Sequence, residues 1–181
     1  MIEMDLIVSE ISSVFAHMDE SQFETACTAI LSSKKVTLVG GGRSGLIAKC
    51  FAMRLSQLGI EAQVVGDCTA TALSKDDLLI IVSASGEANA LKHMAQKAVS
   101  LNARLLLISG SVESSLTQIP HSMILIPGVD NKNTSNRLSS QPLGTLFEQC
   151  ALVLCDGLIL RLMKILGENS KSMRKRHANL E

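Results

Sequence analysis

Five short runs of almost uninterrupted aliphatic residues constrain this chain more than any other feature. They read VTLVG, AQVVG, DLLIIVS, RLLLIS and SMILIP. Runs that are apolar on both faces are typical of strands in a parallel sheet covered on both sides. Helical stretches between several of them, LIAKCFAMRLSQLG and EANALKHMAQKAVSLN, give the order β-α-β-β-α-β-α-β, with a helix also expected between the last two strands. The sequence therefore predicts a doubly wound α/β fold.

The segment before the first run has a helical pattern. Two candidate caps, Asp19 and Ser21, divide it into two helices. A chain of 181 residues with 46% hydrophobic content fits one domain with a well-filled core. We therefore expect residues 1–34 to form a helical hairpin packed on the domain formed by residues 35–181. The apolar positions at helical spacing are Ile7, Ile11, Val14, Phe15, Phe23, Ala26 and Ile30.

Two later segments depart from the alternation of strands and helices. Residues 128–141, GVDNKNTSNRLSSQ, are polar and lack periodicity, which fits either a lid over a ligand or an exposed connection. The stretch after Pro142, GTLFEQCALVLCDGLILRLMKIL, is helical and apolar nearly all round. Its four charged residues make it a poor membrane span. We therefore expect its extra apolar face to be buried in an oligomer.

Composition excludes several classes of partner. Lys plus Arg and Asp plus Glu both number 17, so no net charge attracts nucleic acid or an anionic membrane. The chain has no Trp or Tyr and four Phe, too few aromatic residues for a base-stacking surface. The first residues carry three acids and no basic region before an apolar stretch, unlike a secretory signal. We expect a cytoplasmic protein that binds neither nucleic acid nor membrane.

The cysteines indicate neither a disulfide framework nor a zinc site. Their number is odd and they form no CxxC pair. Ligand-spaced clusters of His, Cys and Asp are also missing, so metal catalysis has no support in the sequence. We expect no cofactor, and buried reduced thiols at Cys27, Cys50, Cys68, Cys150 and Cys155.

A glycine-rich turn, GGGRSG at 40–45, directly follows the first strand and precedes a helix. Glycines let the backbone approach a ligand, and a helix start offers unpaired N–H groups to an anion. The same residues fit G-x-G-x-x-G, the dinucleotide fingerprint, with Asp67 about 20 residues further on. The third interpretation is a tight turn that only packs the helix on the strand. The motif alone does not distinguish anion binding, dinucleotide binding and this packing turn.

A second turn favours a phosphorylated sugar. SASGEA at 83–88 ends the third strand and leads into a helix. Two hydroxyl groups and backbone N–H groups at a helix start can bind several phosphate oxygens, although serines there also act as N-caps. Both turns emerge at the carboxyl ends of strands, and a dinucleotide requires only one. The predicted phosphate-binding residues are Gly42, Arg43, Ser44, Ser83, Ala84, Ser85, Gly86, Glu87 and Ala88.

The two turns together resemble the sugar isomerase (SIS) domain. Three further stretches, AMRL at 52–55, GTLFE at 144–148 and RHANLE at 176–181, are similar to the 6-phospho-3-hexuloisomerase family, and the likeness covers essentially the whole chain. The resemblance implies a five-stranded parallel sheet of flavodoxin-like type between helices, and a homotetramer. It implies interconversion of D-arabino-3-hexulose 6-phosphate and fructose 6-phosphate, the second step of formaldehyde fixation by the ribulose monophosphate route.

One position departs from the family pattern. The serine turn of the family usually reads S-x-S-G-x-T, and Ala88 stands in place of the threonine. Loss of one hydroxyl donor to a charged acceptor weakens binding by roughly 1.5–3 kcal/mol. Backbone N–H groups, Ser83, Ser85 or Asn89 can replace the missing hydroxyl donor. Without compensation, the affinity is poor or the preferred sugar differs.

Two side chains are candidates for catalysis. Moving a carbonyl by one carbon through an enediol needs a base, and Glu148 opens the long helix beside the inferred pocket. An acid there also complements the helix dipole. His177 suits ring opening or hydroxyl proton transfer, in its own or a neighbouring subunit, and equally suits an exposed basic tail. Arg43 is predicted to steer the phosphate or to form a salt bridge across the cleft.

Two other functions stay open at this point. The glycine turn alone fits an NAD-dependent oxidoreductase. A non-catalytic sugar-phosphate sensor is the other alternative, although the residues before the first strand are too few and too neutral for a DNA-binding module.

Overall fold

A five-stranded, all-parallel sheet forms the middle of the fold in the computed structural model, which describes residues 2–119, 121–129 and 139–180. The strand order is β2-β1-β3-β4-β5, and every neighbouring pair is parallel. This confirms the predicted doubly wound, flavodoxin-like sheet. The strands are β1 (Val36–Gly40), β2 (Ala62–Val64), β3 (Leu78–Ser83), β4 (Arg104–Ser109) and β5 (Ser122–Leu125).

Six helices surround the sheet in the described part of the chain. The first two form the predicted N-terminal hairpin, and the N-cap residue Asp19 accepts a hydrogen bond from Ser21 N at 2.8 Å. The hairpin contributes to the main core through Val14, Ala26 and Ile30. The helices are α1 (Ile2–Phe15), α2 (Glu20–Leu31), α3 (Gly42–Leu58), α4 (Asn89–Ser100), α5 (Thr145–Leu166) and α6 (Ser170–Arg174).

Each face of the sheet has its own hydrophobic core, which explains the uninterrupted aliphatic runs. Alternate strand residues face α3 and α5 on one side and α4 on the other. The larger core contains Leu38, Ile80 and Ile108 from the strands with Phe51 and Phe147 from the helices. The smaller core contains Val39, Leu79, Ile81, Leu105 and Leu107 from the strands with Leu91, Ala95 and Ala98 from α4.

The prediction of a helix between the last two strands is wrong. In residues 110–119 and 121, the chain between β4 and β5 forms turns and bends. Ser109 Oγ accepts from Ser111 N at 3.1 Å, and Thr117 Oγ1 accepts from Ser114 N at 2.9 Å. Short hydroxyl side chains satisfy the local backbone in this way and so compete with helix formation.

The structure leaves one expectation untested and corrects part of another. Residues 130–138, most of the polar segment, lie outside the described residues, so the lid stays a prediction. Three cysteines are buried as expected, but Cys50 and Cys68 are exposed, so the expected burial is wrong there. Burial raises the pKa of the Cys150 thiol to about 11.

The membrane and oligomer expectations concern α5. Among the described residues, no helix combines the length and apolar content that crossing a membrane requires. Helix α5 buries one face, yet large apolar side chains on its other side are exposed. The predicted oligomer thus stays a prediction, and the exposed side chains are Leu152, Val153, Leu160, Ile165 and Leu166.

Replacement of Gly45 by alanine tests the contact between β1 and α3. A Cβ atom at Gly45 would lie 2.7 Å from the backbone oxygen of Gly40, which cannot move without separating helix from strand. We expect Gly45→Ala to lower the free energy of unfolding by at least the 1–3 kcal/mol that is typical, to order of magnitude, of overpacking. Urea unfolding measures the change.

Gly41→Ser is the matched control. A Cβ atom at Gly41 meets no atom within 4 Å, and Gly41 is the N-cap residue of α3, where serine is favoured. Equal stability of the Gly45→Ala protein and the control would contradict the importance of this contact.

Candidate functional site

The glycine turn and the serine turn lie side by side at the carboxyl edge of the sheet. Gly40 at the end of β1 pairs with Val82 near the end of β3, so the two turns leave neighbouring strands at the same level. Helix α3 begins within the glycine turn, at Gly42, and α4 begins directly after the serine turn. The carboxyl edge of a doubly wound sheet is where ligands of such folds bind.

Arg43 connects the glycine turn to the start of α5. Its Nη1 donates to Thr145 Oγ1 at 3.2 Å and lies 2.8 Å from Glu148 Oε2. The structure thus contains the salt bridge that was one of two predicted roles for Arg43, and its contact with phosphate stays a prediction. Three of the predicted site elements, the glycine turn, Arg43 and Glu148, lie together.

The Glu148 carboxylate is largely buried beside this cation. Its side chain is 16% exposed, whereas that of Arg43 is 58% exposed. Within the described residues, Glu148 Oε2 has an ion-pair distance to Arg43 but no hydrogen-bond partner. A buried polar atom without such a partner is rare and often functional. The Glu148 carboxylate is therefore paired with Arg43, and its Oε2 accepts no hydrogen bond from the other described residues.

The serine turn is shaped by its own hydroxyl groups. Ser83 Oγ accepts from Gly86 N at 3.1 Å, and Ser85 Oγ accepts from Glu87 N at 3.3 Å. A hydroxyl that accepts a hydrogen bond still has its own O–H to donate. These bonds thus fix both serines in place and leave their O–H groups available for an anion.

The chain between β4 and β5 supports the serine turn from outside. Gly110 N donates to Ala84 O at 3.2 Å, and Leu116 N donates to Gly86 O at 3.1 Å. Gly86 has a φ of +66°, and a Cβ there would lie 2.2 Å from Ser114 Oγ. Only glycine fits this position without displacing the support.

The side chain of Glu87 is part of the same support. Its Oε2 accepts from Ser115 Oγ at 2.6 Å and from Ser115 N at 3.3 Å. The predicted contacts of Gly42, Ser44, Ser83, Ala84, Ser85, Gly86, Glu87 and Ala88 with phosphate stay predictions. For Glu87, the structure shows a contact with Ser115.

Ala88 is the N-cap residue of α4. It has extended backbone angles, φ −68° and ψ 116°, and no side-chain capping bond. A threonine at an N-cap accepts a hydrogen bond from the second or third N–H of its helix. The departure from the family pattern thus removes a helix cap, a consequence that the sequence alone did not identify.

His177 lies far from Glu148 within one chain. It lines a groove with Arg54, Met163 and Arg174, beside the C-terminal part of α5. Met163 follows Glu148 by about 15 residues, which in a helix is roughly 22 Å. One chain therefore does not bring together the two predicted catalytic residues.

Arg176 holds the tail that carries His177. Its guanidinium contacts both oxygens of Glu168, at 2.8 and 3.2 Å, and donates to Gln57 O at 3.2 Å. Hydrogen bonds from Arg176 and then Ser172 lower the pKa of Glu168 to about 2. Arg176 thus fixes the tail to the ionised carboxylate of Glu168, just after α5, and to the backbone at the end of α3.

The SIS domain family model matches residues 29–147, from the last turn of α2 to the first turn of α5. The chain belongs to the SIS domain family. It is 40% identical to a 3-hexulose-6-phosphate isomerase of Bacillus subtilis, over 97% of this chain and 95% of that one. It is 34% identical to a 3-hexulose-6-phosphate isomerase of Methanocaldococcus jannaschii, over 98% of this chain and 97% of that one.

A solved structure agrees along the full length. A hypothetical protein from Methanococcus jannaschii, for which a function as 3-hexulose-6-phosphate isomerase was inferred, superposes with a TM-score of 0.86. The two sequences are 32% identical, and the match covers 100% of both chains. These similarities confirm the resemblance found in the sequence and the SIS-type fold.

Several residues of this SIS site were not found by sequence reasoning. Thr145 contacts Arg43, and Ser114 and Ser115 hold the serine turn. The hydroxyl-rich run GSVESSLT at 110–117 was a signal for such a support. In the described part of the chain, no group of three or more His, Cys, Asp or Glu side chains is placed to bind a metal ion.

Ala88→Thr should stabilise the protein. The new hydroxyl oxygen can accept from an unpaired N–H in the first turn of α4, because Ala88 already has N-cap geometry. We expect the free energy of unfolding to rise by about 1 kcal/mol, the usual value of such a cap. Ala88→Val has the same shape without the hydroxyl and is the control; equal urea midpoints for the two variants would rule out the cap.

The contact between Glu168 and Arg176 should make the tail sensitive to acid. The folded-state pKa of Glu168, about 2, is below its ordinary value of 4.5, so its stabilising effect is complete above pH 4.5. It is lost as the pH falls towards 2. Glu168→Gln should therefore unfold at a lower temperature than the parent at pH 6, and the difference should shrink towards pH 2. A difference independent of pH would argue against an ionic anchor.

Proposed function

We propose that the protein is a sugar-phosphate isomerase that interconverts D-arabino-3-hexulose 6-phosphate and fructose 6-phosphate through an enediol. The observation that carries the proposal is the buried Glu148 carboxylate, 2.8 Å from Arg43 and beside two turns suited to phosphate. Similarity over nearly the whole chain to proteins named 3-hexulose-6-phosphate isomerase supports the same substrate class. The reaction would be the second step of formaldehyde fixation by the ribulose monophosphate route, in the cytoplasm.

The serine turn binds the phosphate group in this proposal. The hydroxyl groups of Ser83 and Ser85 donate to its oxygens, and the open start of α4 supplies further N–H groups. Arg43 and Ser44 approach the sugar from the glycine turn. Phosphate contacts far from the reacting carbons hold the substrate so that its carbonyl region lies near Glu148.

Glu148 transfers the proton between carbons. It removes the proton from C2 of the 3-hexulose, which forms an enediol across C2 and C3, and returns a proton to C3 as the hydroxyl proton of O2 moves to O3. The product has its carbonyl at C2 and is fructose 6-phosphate. The net change moves no electrons to a cofactor, and one carboxylate near both carbons serves both steps.

His177 assists from a neighbouring subunit in this proposal. Its position near the far end of α5, roughly 22 Å from Glu148 by helix length, supports a site shared between subunits. The exposed apolar side chains of α5 support a homo-oligomer, for which we propose a tetramer. Near neutral pH, an imidazole can open the cyclic sugar or move hydroxyl protons.

The sheet argues against the oxidoreductase alternative. The usual dinucleotide-binding order continues past β2 with a further strand, whereas here β2 is at the edge and β3 lies on the other side of β1. The dinucleotide fingerprint requires neither the serine turn nor the Glu148 carboxylate beside Arg43. A non-catalytic sensor has no use for a buried base, so the isomerase is the better explanation.

Glu148→Gln should abolish most of the activity. The amide keeps the shape and removes the basicity, so kcat should fall by at least about 10²-fold, the lower end for general-base catalysis, while substrate still binds. NMR of the purified protein with 3-hexulose 6-phosphate measures the conversion. Glu61→Gln, which changes an exposed acid in the loop before β2, is the control.

Mixed oligomers extend this test to the shared site. Inactive Glu148→Gln subunits and impaired His177→Ala subunits, refolded together, should recover activity because some sites then contain both intact residues. Full activity of the Glu148→Gln protein alone would remove Glu148 from the mechanism. Absence of recovery in a mixture that does assemble would remove the shared site.

A further inference from the structure

Glu10, on α1, holds the three residues that lead towards α5. Its Oε2 accepts from Ser139 Oγ at 2.6 Å and from Gln141 Nε2 at 2.8 Å, and its Oε1 accepts from Ser140 N at 2.8 Å. Gln141 is buried, and its N–H donates to Ser139 Oγ at 3.0 Å. A single side chain of the N-terminal hairpin thus fixes residues 139–141.

A short path of contacts runs from these residues to the catalytic carboxylate. Pro142 O accepts from Thr145 Oγ1 at 2.6 Å and from Thr145 N at 3.2 Å. Thr145 Oγ1 in turn accepts from Arg43, which pairs with Glu148. Leu143, between them, has a φ of +52°, a conformation that a leucine keeps only where its neighbours hold it. Residues 139–141 are therefore connected to the first turn of α5 through Pro142 and Leu143.

The chemistry of the contact requires a carboxylate at position 10. An ionised carboxylate accepts on both oxygens, whereas an amide has one acceptor oxygen, so its N–H groups would face either Ser140 N or the donors of Ser139 and Gln141. Partial burial would raise the pKa of Glu10, but the hydrogen bonds from Ser139, Gln141 and Ser140 lower it below its ordinary value. The group is ionised at neutral pH.

Glu10 lies outside the matched family domain, which begins at residue 29. The hairpin packs against α5, and Val14, on the next turn of α1, is part of the same core as Leu146 and Phe147. The contact is thus an addition of the N-terminal hairpin to the SIS domain.

We propose that Glu10 is a positioning residue for the isomerisation: it anchors residues 139–141 so that the first turn of α5 presents Glu148 to the sugar. The proposal rests on the proposed isomerase function. It predicts an effect on kcat rather than KM, because the serine turn, which binds the phosphate, has its own support from residues 110–117.

Glu10→Gln in the full-length protein is the principal test. We expect kcat for 3-hexulose 6-phosphate to fall by about 10-fold or more, since a misplacement of about 1 Å can cost 10²-fold, with KM changed by less than about 2-fold. Glu3→Gln, an exposed acid on the same helix, should leave both constants unchanged. Ser139→Ala removes one of the three bonds from the other side and should lower kcat in the same direction by less.

Exchanging the side chains of positions 10 and 141 distinguishes a positioning role from a general loss of structure. Combining Glu10→Gln with Gln141→Glu restores a donor and an acceptor across the same pair, so kcat should recover in part. Loss of kcat in the single variant without recovery in the pair, or an equal rise of KM in every variant, would overturn the proposal.

Hydrogen–deuterium exchange provides a readout independent of catalysis. Glu10→Gln should speed amide exchange in residues 139–148 and leave the serine turn at 83–88 unchanged. Unchanged exchange in residues 139–148 would overturn the anchor, and faster exchange with full kcat would overturn its role in catalysis. A parent protein inactive on 3-hexulose phosphates would instead refute the proposed function, and the exchange result would still test the anchor.

Discussion

The start of α3 rests directly on the end of β1, and the arrangement at the carboxyl edge of the sheet depends on this backbone contact. Gly40 and Gly45 have no side chains, so the first turn of the helix comes closer to the strand than any Cβ would permit. The helix therefore begins at the edge of the sheet and not beyond it. Arg43 then reaches the first turn of α5, and a cation from the first crossover helix lies beside a carboxylate from the helix that follows the last strand.

The sheet could be predicted from the sequence because its strands are buried on both faces. A strand such as Leu78–Ser83, with every residue buried, is aliphatic at every position before its final serine, the pattern typical of a strand covered on both faces. The helix wrongly expected after β4 depends on contacts that its own residues do not reveal. Its residues are compatible with a helix, but Ser109 and Thr117 bind the local backbone once the neighbouring serine turn is in place.

The motifs of the candidate site could be predicted from the sequence, but the side-chain contacts between distant residues could not. The turns after β1 and β3 are local in sequence, and parallel strands place them together. The contact between Arg43 and Glu148 joins residues about 100 positions apart, and the three bonds of Glu10 join residues about 130 apart, so no local pattern reveals them. The distance between Glu148 and His177 likewise depends on how the tail folds back on α3, through Arg176 and Gln57 O.

The length of α5 has a consequence for the proposed oligomer with shared sites. With Glu148 at one end of the helix and the tail with His177 beside the other, each subunit would give its tail to one neighbour and receive a tail at its own carboxylate. In an open chain of such subunits, the Glu148 carboxylate at one end receives no tail from a neighbour. In a closed ring or a two-fold pair, every carboxylate receives one. Point-group symmetry would then be a condition for full occupancy of the active sites, and dilution to monomers would remove every complete site at once.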